Sequence, residues 1–334
     1  MATIPVMTRM LKKIRVVPLA AESFGVRSMC SYVETSDVKI LLDAGVSLAP
    51  KRFGFPPHPK EYGALAKCRK KIADAADKAE VVTISHYHFD HHTPSYTDWC
   101  YNWSSEEVAR QIYEGKTVLA KSYRSKINFS QRRRGWMFSK TGGSYAEELN
   151  YADGKVYEFG ETKLRFSDPV FHGRENSQLG WLLMVTIEHE NERLLYTSDV
   201  QGPMCDVTLR VMLAQNPQMI IVGGPPTYLG GLVNQEDIQR GIRNLGKSTE
   251  KVPLTVLDHH LLRDGKWRQL SQPIFDSASR AGNIVVTGAE FLRKQNNLLE
   301  YKRKELFEDD PPSSEFKKWM KLTSLKRKLI KPPI

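Results

Sequence analysis

Cysteine is scarce in this chain. The four that occur in 334 residues, Cys30, Cys68, Cys100 and Cys205, show no C-x-x-C spacing. That excludes a disulfide framework and a cysteine-based zinc knuckle. Long apolar runs are also missing. No stretch of 18 apolar residues occurs, so no helical membrane span is expected. Met1 to Arg15 carries Lys12, Lys13 and Arg15 with no long apolar block behind them, which does not fit a secretory leader. A reducing cytoplasm is therefore the expected location. No repeat of fixed period is evident, which argues against a solenoid. Acidic residues are outnumbered, 38 against 49 Lys and Arg, for a net charge of +11. Such a balance attracts polyanions such as nucleic acid. Part of the excess sits in the tail, at Lys317, Lys318, Lys321, Lys326, Arg327, Lys328 and Lys331.

What the chain does have is histidine in one concentrated place: Ile84-Ser85-His86-Tyr87-His88-Phe89-Asp90-His91-His92. The preceding Val81-Val82-Thr83-Ile84 is mostly β-branched and apolar, the pattern of a buried strand. Side chains alternate along a strand, so His86 and His88 share a face where it ends. Asp90 and His91 follow in a turn that can aim them at a second point nearby. One short segment thus supplies ligands for two metal ions. A surface histidine loop without metal would not need so regular a spacing.

Other metal-binding residue types also follow short apolar stretches. Asp43 comes after Ile40-Leu41-Leu42, and His172 after Val170-Phe171. Asp199 comes after Leu194-Leu195-Tyr196-Thr197-Ser198, and His259-His260 after Leu254-Thr255-Val256-Leu257-Asp258. A capping Asp or a core His accounts for any one of these alone. Five strand ends in order, one of them carrying H-x-H-x-D-H, are hard to attribute to chance.

Asp43, His86-x-His88-x-Asp90-His91, His172, Asp199 and His259 or His260 resemble the five motifs of the metallo-β-lactamase superfamily, over roughly residues 14 to 290. Within it, the wording is similar to a mostly archaeal family of predicted metal-dependent hydrolases. The phrases that carry this are Ser23-Phe24-Gly25-Val26-Arg27-Ser28, Pro56-Pro57-His58-Pro59, Gly223-Gly224-Pro225-Pro226-Thr227-Tyr228-Leu229 and Asp258-His259-His260-Leu261-Leu262-Arg263-Asp264. The resemblance implies an α/β fold, a four-layer αββα sandwich with two mixed sheets and a C-terminal helical extension. It implies a metal site and no particular substrate.

The rest of the chain fits that plan. Residues 14–19 and 31–42 pattern as strands of a meander, and Glu61 to Ala79 as an amphipathic helix. Short strands are expected at 155–159, 163–167, 180–188, 193–197, 219–222, 253–257 and 284–286. Helices are expected at 235–245, 292–307 and 314–329. Strand–helix alternation is the α/β signature. Residues 1–290 then form the hydrolase domain and 291–334 a charged helical extension. Between Lys121 and Arg134, six basic residues (Lys121, Arg124, Lys126, Arg132, Arg133, Arg134) interleave with Tyr123 and Phe129. Segments that grip phosphates and stack bases have this composition; so does a solvated face over aromatic core residues. The segment is expected near the mouth of the metal cleft.

The resemblance then assigns roles. His86, His88 and His172 make one metal site; Asp90, His91 and His259 or His260 make the second, with Asp199 bridging. His259 is favoured because it lies nearer the strand end. Two divalent ions, zinc by ligand type with Mn²⁺ or Fe²⁺ also compatible, would activate a bridging water. Asp90 and Asp199 serve catalysis through the metals, and Asp43 by orienting the metal loop. His92, Tyr228 and Arg263 are candidate substrate contacts. The expected activity is hydrolysis of a phosphodiester or nucleic acid. Two alternatives are hydrolysis of a small ester or thioester, and a nucleic-acid- or ribosome-associated binding protein whose metal site is structural or vestigial.

Overall fold

In the computed structural model, residues 11–334 are described, so most of the segment read as lacking a leader lies outside them. Six strands form the first sheet in chain order: β1 (Arg15–Pro18), β2 (Ser31–Glu34), β3 (Lys39–Leu42), β4 (Val81–Ile84), β5 (Thr117–Ala120) and β6 (Glu148–Tyr151). The β1–β2–β3 meander is antiparallel, while β3 through β6 run parallel. The remaining strands are β7 (Val156–Phe159), β8 (Thr162–Phe166), β9 (Val170–Phe171), β10 (Trp181–Leu182), β11 (Val185–His189), β12 (Glu192–Tyr196), β13 (Met219–Gly223), β14 (Leu254–Asp258) and β15 (Ile284–Val286). Seven of them build the second sheet, in the order β15-β14-β13-β12-β11-β8-β7, and β9 and β10 pair as a separate ribbon. The second sheet is mixed as well: β12 to β15 are parallel and β7, β8, β11 and β12 antiparallel.

Strand periodicity decides which face goes where. Ile40 and Leu42 point into the core between the sheets, with Leu119, Val185, Leu194, Ile221 and Val256. Leu41, one residue out of phase, faces the opposite way onto α1 (Pro59–Ala76), where Tyr62, Leu65 and Ile72 meet it. The helices on that side are α1, α2 (Glu106–Tyr113) and α3 (Phe129–Lys140). On the far side of the second sheet lie α4 (Asp206–Ala214), α5 (Gln235–Lys251), α6 (Trp267–Leu270) and α7 (Gln272–Arg280). There Ile220, Val222 and Leu257 meet Ile238, Ile242 and Ile274. The layers are therefore α, β, β, α, as expected. After them come α8 (Gly288–Phe291), α9 (Arg303–Asp309), α10 (Ser314–Met320) and α11 (Ser324–Leu329).

Three elements depart from expectation. The strand expected at 180–188 is two strands, β10 and β11, interrupted at Leu183 and Met184, where Leu183 N donates to Ser85 O across to the first sheet. Residues 292–302, expected as helix, are irregular up to α9, because this stretch is tied down piece by piece. Asn297 N donates to Ser23 O, Leu299 enters the core, and Glu300 accepts from Arg27 Nη2 and Nε at 2.6 and 2.7 Å. The helix expected at 314–329 breaks into α10 and α11, which leaves Phe316 and Trp319 buried on Tyr62 of α1. No helix among the described residues is long and apolar enough to cross a membrane.

Candidate metal centre

The centre lies where strands of both sheets end. The β4 strand runs out at Ile84, and residues 85–92 carry the histidines. Across from it, Asp43 leaves β3 with φ 46°, Ser198 follows β12 with φ 53°, and His259 follows β14 with φ 68°. Non-glycine residues rarely adopt the left-handed region, at a cost of about 1–3 kcal/mol each. Three of them at three strand ends mark a place where the chain is bent for aim rather than for stability. Gly45 is needed for a related reason: a Cβ there would stand 2.3 Å from His92 N and 2.4 Å from His91 N. Only glycine lets the metal loop lie this close to the turn after β3.

Asp43 holds the loop in place. Its Oδ1 accepts from Ser85 N at 2.8 Å. Its Oδ2 accepts from Ser85 Oγ at 2.5 Å, His91 Nδ1 at 2.8 Å, and Tyr196 OH and Ser198 Oγ, both at 2.9 Å. With its Nδ1 proton committed to Asp43, His91 turns Nε2 inward. That atom is buried and has no protein partner. Three more atoms share this condition at the same place: His172 Nδ1, Asp199 Oδ1 and His259 Nε2. A buried polar atom left unpaired costs about 1–3 kcal/mol, so four in one locus call for a ligand not made of protein. The donors fall into groups whose ligand atoms lie within 4.8 Å of one another: His86, His88 and His172; Asp90, His91 and His259; His172, Asp199 and His260; and Asp43, His86 and His91. Buried imidazole and carboxylate are the donor types that divalent transition metals take. The residues present fit such a group.

Four of the candidate ligands have the charge states a metal needs, whereas the carboxylates beside His91 raise its pKa despite burial. Burial pushes the His86 and His88 imidazoles well below their ordinary pKa, with neighbouring histidines adding to the effect. They are neutral, as metal ligands must be. Burial alone would raise the Asp90 and Asp199 carboxyls. The surrounding histidines outweigh it and hold both below the usual carboxylate range, as anions.

His259 and His260 point differently, as adjacent residues after a bend should. His259 Nε2 faces Asp90 at 3.7 Å and Asp199 at 3.5 Å. His260 Nε2 lies 2.9 Å from Asp199 Oδ2, and its Nδ1 lies 2.9 Å from Arg263 Nη1 and 3.2 Å from Tyr228 OH. Arg263 lines the metal cleft together with Tyr228, although it is no surface residue. It is 1% exposed, donates Nε to Glu22 at 2.8 Å, and sets both histidine rings from behind. Tyr228 hydrogen-bonds within this same cluster. His92 lies behind the centre: its Nδ1 donates to His88 O at 2.9 Å, and burial lowers its pKa to about 4. It lines a neighbouring cavity and not the metal cleft.

The cleft over the centre holds about 470 Å³ and is lined by His88, Asp90, His172, Asp199 and His260. A larger cavity of about 520 Å³ lies beside it and contains no metal-binding cluster. Of the six basic residues from Lys121 to Arg134, only Arg134 lines the metal cleft. It lies 4.6 Å over the Phe89 ring. Lys121 is fully buried, with Nζ on Asp153 at 2.6 Å and on two carbonyls, so it is not available to a phosphate. Sequence reasoning missed Ser85, Tyr196, Ser198, Glu22 and the Arg27–Glu300 pair. The first and third stand beside recognised ligands; the others give no local signal.

No family model matches the chain. Full-length relatives do. A UPF0282 protein of Pyrobaculum neutrophilum is 44% identical over 295 residues, covering 88% of this chain and 94% of the relative. One from Methanopyrus kandleri is 42% identical over 294 residues, covering 88% and 99%. One from Thermococcus gammatolerans is 43% identical over 294 residues, covering 88% and 95%. Among solved structures, the diiron β-hydroxylase CmlA of Streptomyces venezuelae superposes with TM-score 0.50 at 11% identity, covering 83% of this chain and 53% of that one. The metallo-β-lactamase fold protein YhfI of Bacillus subtilis gives TM-score 0.48 at 14% identity, covering 81% and 95%. The two facing mixed sheets with helices outside them are the architecture expected from the sequence. By the identity and coverage of its relatives, the chain belongs to the UPF0282 family.

Proposed function

We propose that this protein is a metal-dependent hydrolase of phosphodiesters. The observation that carries the proposal is the set of four unpartnered buried atoms, His91 Nε2, His172 Nδ1, Asp199 Oδ1 and His259 Nε2, of which two belong to residues, His172 and Asp199, that line an open cleft. One ion would be held by His86, His88 and His172, and a second by Asp90, His91 and His259, with Asp199 between them. Bound there, such a pair supplies Lewis acidity and lowers the pKa of water toward ~7.

The protein's own groups define the rest. Asp43 keeps His91 in the tautomer that presents Nε2. Arg263, locked on Glu22, keeps the His259 and His260 rings from rotating. Asp90 and Asp199, held anionic, provide negative charge for cations and not for substrate. Arg134, on the cleft wall with no carboxylate partner among the described residues, favours an anionic substrate over a neutral ester.

The test is turnover of bis-p-nitrophenyl phosphate and of a thioester, with metal content measured in the same preparations. Diester turnover that a chelator abolishes and added Zn²⁺ or Mn²⁺ restores is expected. His88→Ala and Asp199→Ala should lose bound metal and activity together. Thioester turnover without diester turnover would replace this reading with the small-ester one. Full metal occupancy with no turnover would favour a binding protein.

A further inference from the structure

We propose that the outer face of α3 is a track for a single-stranded polynucleotide, leading it to the metal cleft. Two large aromatic side chains stand in water on this helix: Phe129 is 83% exposed and Trp136 is 48% exposed. They are seven residues apart, about two turns, so they lie on one side of the helix. Arg132 and Arg133 are exposed between them, and no ion pair among the described residues involves either. Together with Tyr123 and Arg124 these side chains line an open depression of about 500 Å³.

The depression is connected to the chemistry. It shares Arg133 with the 520 Å³ cavity, and that cavity shares Phe89, Tyr96 and Arg134 with the metal cleft. Three hollows thus adjoin one another around α3, meeting at Arg133 and Arg134, each walled by aromatic rings and each with an arginine. Phe138 and Tyr145 line the middle one, which also carries one carboxylate, Glu106, itself paired with Arg110.

Exposed rings next to unpaired guanidinium groups match the alternation of base and phosphate along a strand. Every base offers a face for stacking, and each stacked base is worth about 5- to 150-fold in affinity. Guanidinium groups neutralise phosphates. A duplex has no free base faces and cannot use the rings. Acidic peptide would use the arginines and leave the aromatics idle.

Delivery to the cleft rests on the hydrolase reading above, whereas strand binding does not. The experiment uses the full chain and labelled single-stranded RNA, single-stranded DNA, a duplex of the same sequence and polyglutamate, followed by fluorescence anisotropy across a salt series. Single strands should bind more tightly than duplex or polyglutamate, and the RNA and DNA arms show which sugar is preferred. The Phe129→Ala/Trp136→Ala pair should weaken strand binding tenfold or more with an unchanged salt slope. Arg132→Ala/Arg133→Ala should flatten the slope by about 1.4, at ~0.7 per phosphate contact. Metal content and bis-p-nitrophenyl phosphate turnover should be unchanged in both pairs. Equal binding of polyglutamate, absence of strand binding, or a dimer in solution that Trp136→Ala dissociates would overturn the track. Strand binding as predicted with no diester turnover by the unmodified protein would sink the hydrolase reading and leave the track standing.

Discussion

Asp43 organises the centre without needing to touch a metal. Its carboxylate collects five hydrogen bonds from four residues, and the His91 Nδ1 contact fixes which ring nitrogen faces inward. An amide at this position would offer its NH₂ to one of these donors. Asp43→Asn is therefore expected to leave the fold intact by circular dichroism and to lower metal affinity about 10–100-fold, measured by competition with a chromophoric chelator. The adjacent histidines separate on the same reasoning. The neutral His260 ring is already satisfied, Nδ1 accepting from Arg263 and Nε2 donating to Asp199. His259 Nε2 has no partner. His259→Ala should lose one metal equivalent by atomic emission, and His260→Ala should keep both. His92 gives the pH behaviour. Burial holds its folded pKa at about 4, below the ~6.5 of an unfolded histidine. Its contribution is fully present above pH ~6.5 and is lost as pH falls through the folded value, because only the unfolded chain takes up the proton in between. Urea midpoints of the metal-free protein should therefore fall between pH 6.5 and 4, at up to ~1.4 kcal/mol per pH unit for each such histidine. His92→Phe should reduce that slope, and an unchanged slope would count against the assignment. The ligand residues were legible in the sequence because each follows a strand that ends on an apolar run. Glu22, Tyr196 and Arg27 were not, because their importance depends on partners 241, 153 and 273 positions away.

At the scale of elements, pattern succeeded where both faces of a strand are buried and failed where the chain is held by scattered ties. The strands β3, β4, β13 and β14 are apolar on both faces, and the sequence marks them plainly. Residues 292–302 have the composition of a charged helix, yet tertiary bonds to Ser23 and Arg27 override that propensity. The next helix, α9, is bonded into the first layer of helices through its leading residue. Arg303 and Glu61 of α1 form a fully buried pair, with Nε and Nη2 each 2.8 Å from a carboxylate oxygen. Removing one partner leaves an uncompensated buried charge. Arg303→Ala should cost about 3–5 kcal/mol in urea unfolding, and Arg303→Met with Glu61→Leu much less. Similar losses for the single and double variants would show that the pair contributes little beyond its packing.

For the molecule as a whole, the centre is also a joint. The first sheet contributes Asp43 and the loop after β4, the second contributes Asp199 and His259 after β12 and β14, and the β9–β10 ribbon contributes His172. Protein contacts cross the same edge, Ser85 Oγ to Ser198 Oγ at 2.7 Å and Leu183 N to Ser85 O at 3.0 Å. With the Tyr196 and Ser198 bonds to Asp43 they are polar ties at this edge, and the apolar core joins the sheets further in. Four unpartnered atoms and three left-handed residues make this edge the least self-sufficient part of the interior. Metal that binds only the folded chain should stabilise it by RT ln(1 + [L]/Kd), about 2.7 kcal/mol at a hundredfold excess over Kd. That is a large share of the ~5–15 kcal/mol typical of a folded protein. Chelation should therefore lower the melting temperature, and it should do so from one end. Hydrogen exchange of the chelated protein should quicken at residues 85–92, 172–173, 198–201 and 258–263, while the centres of β4 and β13 stay protected. Gly45→Ala, which forces the loop away from the turn after β3, should show the same local pattern even with metal added. Uniform acceleration across both sheets would instead mean that the metals support the whole fold, and that the strand-end geometry has no stability of its own.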